Sequence, residues 1–240
     1  MLYDIHCHLD KVSDVLEALI RAKQAGVKKI LVNGLNPSHN REVIEFCKQD
    51  DILFAVLGLY PNDAIKLSDE EVDAELAFIR EQKPLAIGEI GLDYHWDDTH
   101  KEEMKVVFRK CLQLAQDIDR PVIIHSRKAE KDVLAILKEY DVVADLHCYS
   151  GKLSYIKDSK HYFSIPANVN TSTHFQRLVE EVPLKQLLLE TDAPYMGPER
   201  GVENEPANVA VAAQVIADIK GLTLRDCLAQ LWMNQKRFLS

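Results

Sequence analysis

Short apolar runs alternate with longer amphipathic stretches along the whole chain. The runs of strand length are YDIHCH (3–8), KKILVN (28–33), ILFAVLG (52–58), LAIGEIG (85–91), PVIIHS (121–126), VVADLHC (142–148), YFSIP (162–166) and QLLLETD (186–192). Helix-like segments fall between them, at 11–25, 38–50, 68–82, 101–118, 127–139 and 171–182. In 101–118, Met104, Val107, Phe108, Cys111, Leu112 and Ala115 recur at three- and four-residue steps, as one helical stripe does. The stretch 151–159 is the weakest helix, and two further helices, 206–219 and 224–237, finish the chain. Thr223 and Asp226 mark the start of the last one. Eight strands with intervening helices predict an α/β fold, a parallel sheet closed into a TIM-like (β/α)8 barrel with extra C-terminal helices. No linker or repeat divides residues 1–240, so one domain is expected.

Strand periodicity then sorts the polar residues. Alternation puts Asp4, His6 and His8 on one face of the first run and Tyr3, Ile5 and Cys7 on the other. By the same count Leu85 and Ile87 share a face with Glu89, Ile123 with His125, Val143 and Asp145 with His147, and Leu188 and Glu190 with Asp192. Ala86 and Gly88 fall on the opposite face, where helices approach. Barrel active sites gather at the C-terminal ends of strands. His6, His8, Glu89, His125, His147 and Asp192 all stand at such ends. Taken singly, each has a plain structural role as a hydrogen-bonded core or turn residue; together they are too many ligands for one tetrahedral ion and enough for two divalent ions sharing a carboxylate.

Other polar residues rank lower. Asp4, Asp145 and Glu190 would sit one layer beneath, orienting imidazoles or forming a buried cluster with water or Lys29. His39, His95, His100, His161 and His174 fall in helices or loops and are expected mostly at the surface or as caps. Alternation points Cys7 and Cys148 away from the site. The acidic run SDEEVDAE (68–75) reads as a solvated helix start, acids favouring the helix N-terminus.

Composition narrows the function classes. The chain has 240 residues, 47% of them hydrophobic, which suits one domain of barrel size with a real core. No apolar run reaches the roughly 18 residues needed to span a bilayer, and the N-terminus lacks a signal-peptide layout. Five unpaired-looking cysteines suit a reducing, cytoplasmic setting. A net charge of -9 argues against a broad basic face gripping nucleic acid, though not against metals neutralising phosphate locally. No membrane or protein partner is evident.

The motifs DIHCHLD, AIGEIGLDY, PVIIHSR, LHCYSG, LLLETDAPY and NEPANV, in that order over essentially the whole chain, resemble the TatD family of metal-dependent deoxyribonucleases. The resemblance implies an amidohydrolase-like barrel, a two-metal centre, hydrolysis of DNA phosphodiesters and a 3′ to 5′ direction; a loop-ringed barrel mouth and the net negative charge predict that cleavage starts from single-strand ends. It also implies His6, His8 and Asp192 on one ion, His125 and His147 on the other, and Glu89 bridging. At GLYPND the family commonly has a histidine before the proline; here it is Tyr60, which carries no cation near neutral pH. Arg127 and Arg200 are the candidate phosphate contacts. Asp192 would orient the attacking water and accept its proton, with Glu89 the second catalytic carboxylate. The imidazole-rich set suits zinc or manganese, and the resemblance admits magnesium. The alternative is a hydrolase of small amides, lactones or phosphate esters on the same barrel. Many such relatives carry a modified lysine on the fourth strand, where this chain has Glu89.

Overall fold

The computed structural model describes residues 1–240 and has the α/β class expected. Its strands are β1 (Leu2–Cys7), β2 (Val27–Asn33), β3 (Leu53–Val56), β4 (Ile87–Gly91), β5 (Val122–His125), β6 (Ala144–Leu146), β7 (Phe163–Ile165) and β8 (Leu187–Leu189). Its helices are α1 (Val15–Gln24), α2 (Pro37–Cys47), α3 (Pro61–Ala64), α4 (Asp69–Gln82), α5 (Lys101–Asp117), α6 (Glu130–Ile136), α7 (Thr173–Glu181), α8 (Val209–Lys220) and α9 (Leu224–Phe238). The short α3 was not expected, and 151–159 holds only a 3-10 turn, Leu153–Tyr155. The strands form three small parallel sheets, β1-β2-β3, β4-β5-β6 and β7-β8. Single bridges, Leu57 to Ile87 and Asp145 to Tyr162, join one sheet to the next in chain order. Beyond β8, the amide of Asp192 donates to the His6 carbonyl at 2.9 Å.

Local chemistry explains where the helices begin. In α4, Ser68 accepts from the Glu71 amide and the Glu71 side chain accepts from the Ser68 amide, so the acidic run is a capping box. Thr223 accepts from the Asp226 amide at the head of α9. The amphipathic stripe of α5 is buried as its periodicity requires, from Met104 through Ala115.

Two apolar clusters flank the strands. The larger lies between strands and helices and includes Cys7, Ile87, Ile124, Leu146, Leu187 and Leu189. The smaller is built from Tyr3, Ile5, Leu31, Val56, Ala86, Ile123 and Leu188 of the strand segments, with Phe238 of α9. Strict alternation fails here in two places. Ile5 and Cys7 belong to different clusters, and Ala86 rather than Ile87 joins the smaller one. The cause is in the register. Asp4 pairs with Ile30 and Cys7 with Val32, while Ile87 pairs with Val122 and Ile90 with Ile124. Each of β1 and β4 therefore carries one extra residue against its neighbour, a bulge that reverses the side-chain parity beyond it. His6 and Glu89 lie within the bulged segments Asp4–Cys7 and Ile87–Ile90, and His8 follows the first.

Candidate metal centre

Three of the six candidate ligands lie just past their strands rather than within them. His8 and His147 are one residue beyond β1 and β6, and Asp192 is three beyond β8. Asp192 adopts a left-handed φ of 56°, a conformation that polar Asp tolerates. Its loop is fastened from both sides. The His8 amide donates to the Ala193 carbonyl at 2.8 Å, and the Thr191 amide donates to Asp4 Oδ1 at 2.9 Å. Asn204 Nδ2 donates to the Thr191 carbonyl at 2.7 Å. Asp4 thus anchors Thr191 and touches no imidazole.

Close backbone packing sets Glu89. The Gly88 amide donates to the Leu57 carbonyl and the Glu89 amide to the Gly34 carbonyl, at 3.0 and 3.1 Å. A Cβ on Gly58 would stand 2.5 Å from the Gly88 carbonyl carbon and 2.8 Å from the Glu89 nitrogen. Only glycine permits that approach.

The structure brings all six side chains together, and Glu89 stands in the middle. Its Oε2 lies 3.6 Å from Nε2 of both His6 and His8. Its Oε1 lies 2.8 Å from His125 Nδ1 and 3.3 Å from His147 Nε2. Asp192 Oδ1 is 3.5 Å from His6 Nε2 and 3.8 Å from His8 Nε2, and those two nitrogens are 3.3 Å apart. A tetrahedron with metal–ligand bonds of about 2.1 Å has edges of about 3.4 Å. The His6, His8 and Glu89 atoms match that spacing and form one potential ligand group, while Asp192 groups with His6 and His147. Glu89, His125 and His147 make another potential ligand group.

Partners behind the rings select their tautomers. His8 Nδ1 lies 3.2 Å from the Asn33 carbonyl, which can only accept, so Nε2 keeps its lone pair. His147 Nδ1 faces Glu190 Oε2 at 3.2 Å and His125 Nε2 faces Asp93 Oδ2 at 2.8 Å. Of the three deeper acids, Glu190 alone meets an imidazole. Asp145 instead accepts from the amide and hydroxyl of Ser164. Lys29 pairs with none of them; its ammonium sits 3.7 Å over the Phe54 ring.

Burial and neighbouring charge tune these groups. Burial and the adjacent His147 push His6 well below its ordinary value, which keeps the ring neutral and able to ligate. Burial would raise Glu89, but the His6, His125, His147 and His8 imidazoles outweigh it and hold the carboxylate well below its usual range. Burial raises Asp192 to about 6 against the pull of His147 and His8. Burial opposes charge on His125 and His147, yet carboxylates win at both: Asp93 with Glu89 at the first, Glu190 at the second.

The candidate substrate contacts separate. Tyr60, capping α3, gives its hydroxyl to Asp93 Oδ2 at 2.8 Å, and its ring meets His125 edge-on at 5.0 Å. Burial, reinforced by Glu89 and Asp93, pushes its phenol upward, so it stays neutral. Arg127 is exposed, with its guanidinium 5.5 Å from the Trp96 ring. Arg200 is exposed after β8, and Glu205 pairs with Arg21 rather than with it.

Some residues sit where alternation did not put them. Cys148, at φ 44°, lies with His147 and Glu190 in one potential ligand group instead of pointing away. His39 is buried and bonded to Asp10 at 2.7 Å, and His161 is buried as well. His95 is half-buried against Trp96. Asp93, the buried partner of His125, was missed although GLDY contains it. Its even spacing from Glu89 was the available signal. The Asn33 carbonyl had no signal at all, because every residue has one.

A family model described as TatD related DNase matches residues 3–240. The chain is similar to the uncharacterized metal-dependent hydrolase YabD of Bacillus subtilis, 35% identical over 99% of this chain and 98% of that one. It is also similar to human deoxyribonuclease TATDN3, 31% identical over 97% of this chain and 92% of the relative. Among solved structures, YJJV, a TatD homolog from Escherichia coli K12, superposes with a TM-score of 0.90 at 29% identity, covering 99% of this chain and 97% of that one.

Proposed function

The chain belongs to the TatD related DNase family, whose members are metal-dependent hydrolases, and from that membership we propose a deoxyribonuclease acting on the ends of single-stranded DNA. The three sheets are read as one (β/α)8 barrel, with the six side chains at its mouth and a two-ion centre between them. The observation that carries the reading is the division of Glu89, whose two oxygens face two separate imidazole pairs. A carboxylate surrounded in that way is built to bridge.

His6, His8 and Asp192 would hold one ion, His125 and His147 the other, and Glu89 both. Zinc and manganese suit the imidazoles better than magnesium does. Bound divalent ions would polarise the phosphoryl oxygens and make water in the site more acidic. The protein's own groups do the rest. Glu89 fixes the spacing of the two halves. Asp192 orients the attacking water and accepts its proton. Asn33, Asp93 and Glu190 keep three imidazoles from rotating during the reaction. Arg127 supplies positive charge beside the site, and Arg200 supplies it from the loop after β8. Tyr60 contributes no charge and acts through Asp93.

A site at the bottom of a loop-ringed mouth admits a frayed strand end more easily than the middle of a duplex. The net charge of -9 provides no long basic groove, so few phosphates are neutralised and affinity falls shallowly with salt. The expected direction is 3′ to 5′, in a reducing compartment such as the cytoplasm. The test uses metal-loaded protein on linear single strands with free or blocked 3′ ends and on a closed single-stranded circle. Cleavage of the free-ended strand alone supports the reading. Rapid cutting of the circle replaces it with an endonuclease, and loss of no activity in chelator removes the metal centre from the mechanism.

A further inference from the structure

We propose that Trp96, backed by Arg127, is a stacking platform for a nucleobase of the single strand presented to the metal centre. The inference rests on the deoxyribonuclease reading and adds the subsite that reads the base. Trp96 is 69% exposed, the highest value among the exposed large hydrophobic side chains, with Leu16 next at 68%. A tryptophan left in water forgoes the largest gain that burial offers any side chain, so its exposure on the loop whose Asp93 holds His125 is informative. The Arg127 guanidinium sits over its ring at 5.5 Å, and His95 meets it edge-on at 4.8 Å. Arginine beside an indole joins charge for a phosphate to a face for a base.

The platform is coupled to the centre through one carboxylate. Asp93 Oδ1 accepts from the amides of His95 and Trp96, at 2.8 and 3.2 Å. Its other oxygen accepts from His125 Nε2 and from the Tyr60 hydroxyl, each at 2.8 Å. Three consecutive contacts therefore lead from the Trp96 backbone to Asp93, to His125 and to Glu89. Further along, Asp97 Oδ1 accepts from the Thr99 and His100 amides, and the Tyr94 amide donates to the Arg127 carbonyl at 3.0 Å. The loop is held in place before any ligand arrives, which spares the ordering cost of binding. Stacking tolerates any base, which suits an enzyme that must pass every nucleotide of a strand.

The test compares an oligodeoxythymidylate with the same strand made abasic at its terminal positions, using metal-loaded wild type, Trp96→Ala and Trp96→Phe. Wild type is expected to show a KM roughly five- to hundredfold lower for the base-bearing strand, the range of one stacked base. Trp96→Ala should bring the two KM values together, and Trp96→Phe should keep most of the difference. A base preference that survives in Trp96→Ala, or is absent in wild type, overturns the platform while leaving the nuclease reading intact. No cleavage of any DNA by wild type overturns that reading, and the platform with it.

Discussion

Asp93 accepts a hydrogen bond from His125 Nε2 at 2.8 Å, and that contact decides which nitrogen of the ring faces Glu89. A carboxylate can only accept, so Nε2 carries the proton and Nδ1 is left to ligate once an ion lies between it and Glu89. Removing such a partner costs a metal site roughly 10- to 100-fold in affinity. Asp93→Ala should weaken the ion held by His125 and His147 by that factor, and the ion held by His6 and His8 by far less. Asp93→Asn, whose amide oxygen still accepts, should recover part of it. Stepwise metal titration reads both sites; equal weakening of the two would refute the assignment.

Glu89 serves both halves, so its loss should not be selective. Glu89→Ala is expected to lower both occupancies and abolish hydrolysis while the fold survives. Metal analysis beside circular dichroism checks this. One site remaining full with turnover intact would remove the bridging role.

His6→Ala combined with His8→Ala should cost one ion and spare the other, because His125 and His147 still converge on Glu89 Oε1. The same metal analysis decides it, and full occupancy in the double variant would contradict the ligand set.

Gly58 tests the backbone beneath the carboxylate. In Gly58→Ala the new methyl meets the Gly88 carbonyl and the Glu89 amide, which belong to rigid strand backbone and must move. The expected cost is about 1–3 kcal/mol of stability, with weaker metal binding although no ligand has changed. Urea denaturation and metal titration report the two effects. Unaltered metal affinity would show that Glu89 is set by something other than this contact.

His161 gives a pH signature away from the centre. Burial, helped by Lys160, lowers its ring to about 4. An unfolded chain takes up that proton near pH 6.5, while the folded one resists until about 4. The neutral ring therefore costs no stability above pH 6.5, and the folded state loses stability as pH falls from 6.5 toward 4. About 2–3 kcal/mol of the acid sensitivity at pH 4.5 should come from this one group. His161→Gln should flatten the fall by that amount in urea midpoints measured at pH 7 and 4.5. An identical slope in both proteins would show that the ring is hydrated in solution.

Much of this architecture is written in the chain. The eight apolar runs, the stripe of α5, the Ser68–Glu71 box and the Thr223 cap are local patterns, and local patterns act through neighbouring residues. The six candidate ligands were likewise legible, because strand ends mark where polar side chains collect in an α/β fold. The inward face of β1 and β4 was not. Counting by twos put Ile5 with Cys7 and Ile87 with Glu89, and the bulges undid both pairings. A bulge exists only relative to the partner strand, so no count along one strand reveals it.

The same limit governs the groups around the ligands. Asp93 reaches a ring 32 residues away, Glu190 one 43 residues away, and His8 is oriented by a carbonyl that any residue would have supplied. Cys148 came to lie beside His147 because its backbone turns through a left-handed φ of 44°. The sequence by itself determined which side chains have the chemistry to bind ions and which segments carry them. Tertiary structure alone decided which nitrogen His8, His125 and His147 present, how Glu89 divides between two pairs, and that Trp96 is tied to His125. Those outcomes depend on hydrogen bonds between segments distant in the chain, which form only once the strands lie side by side.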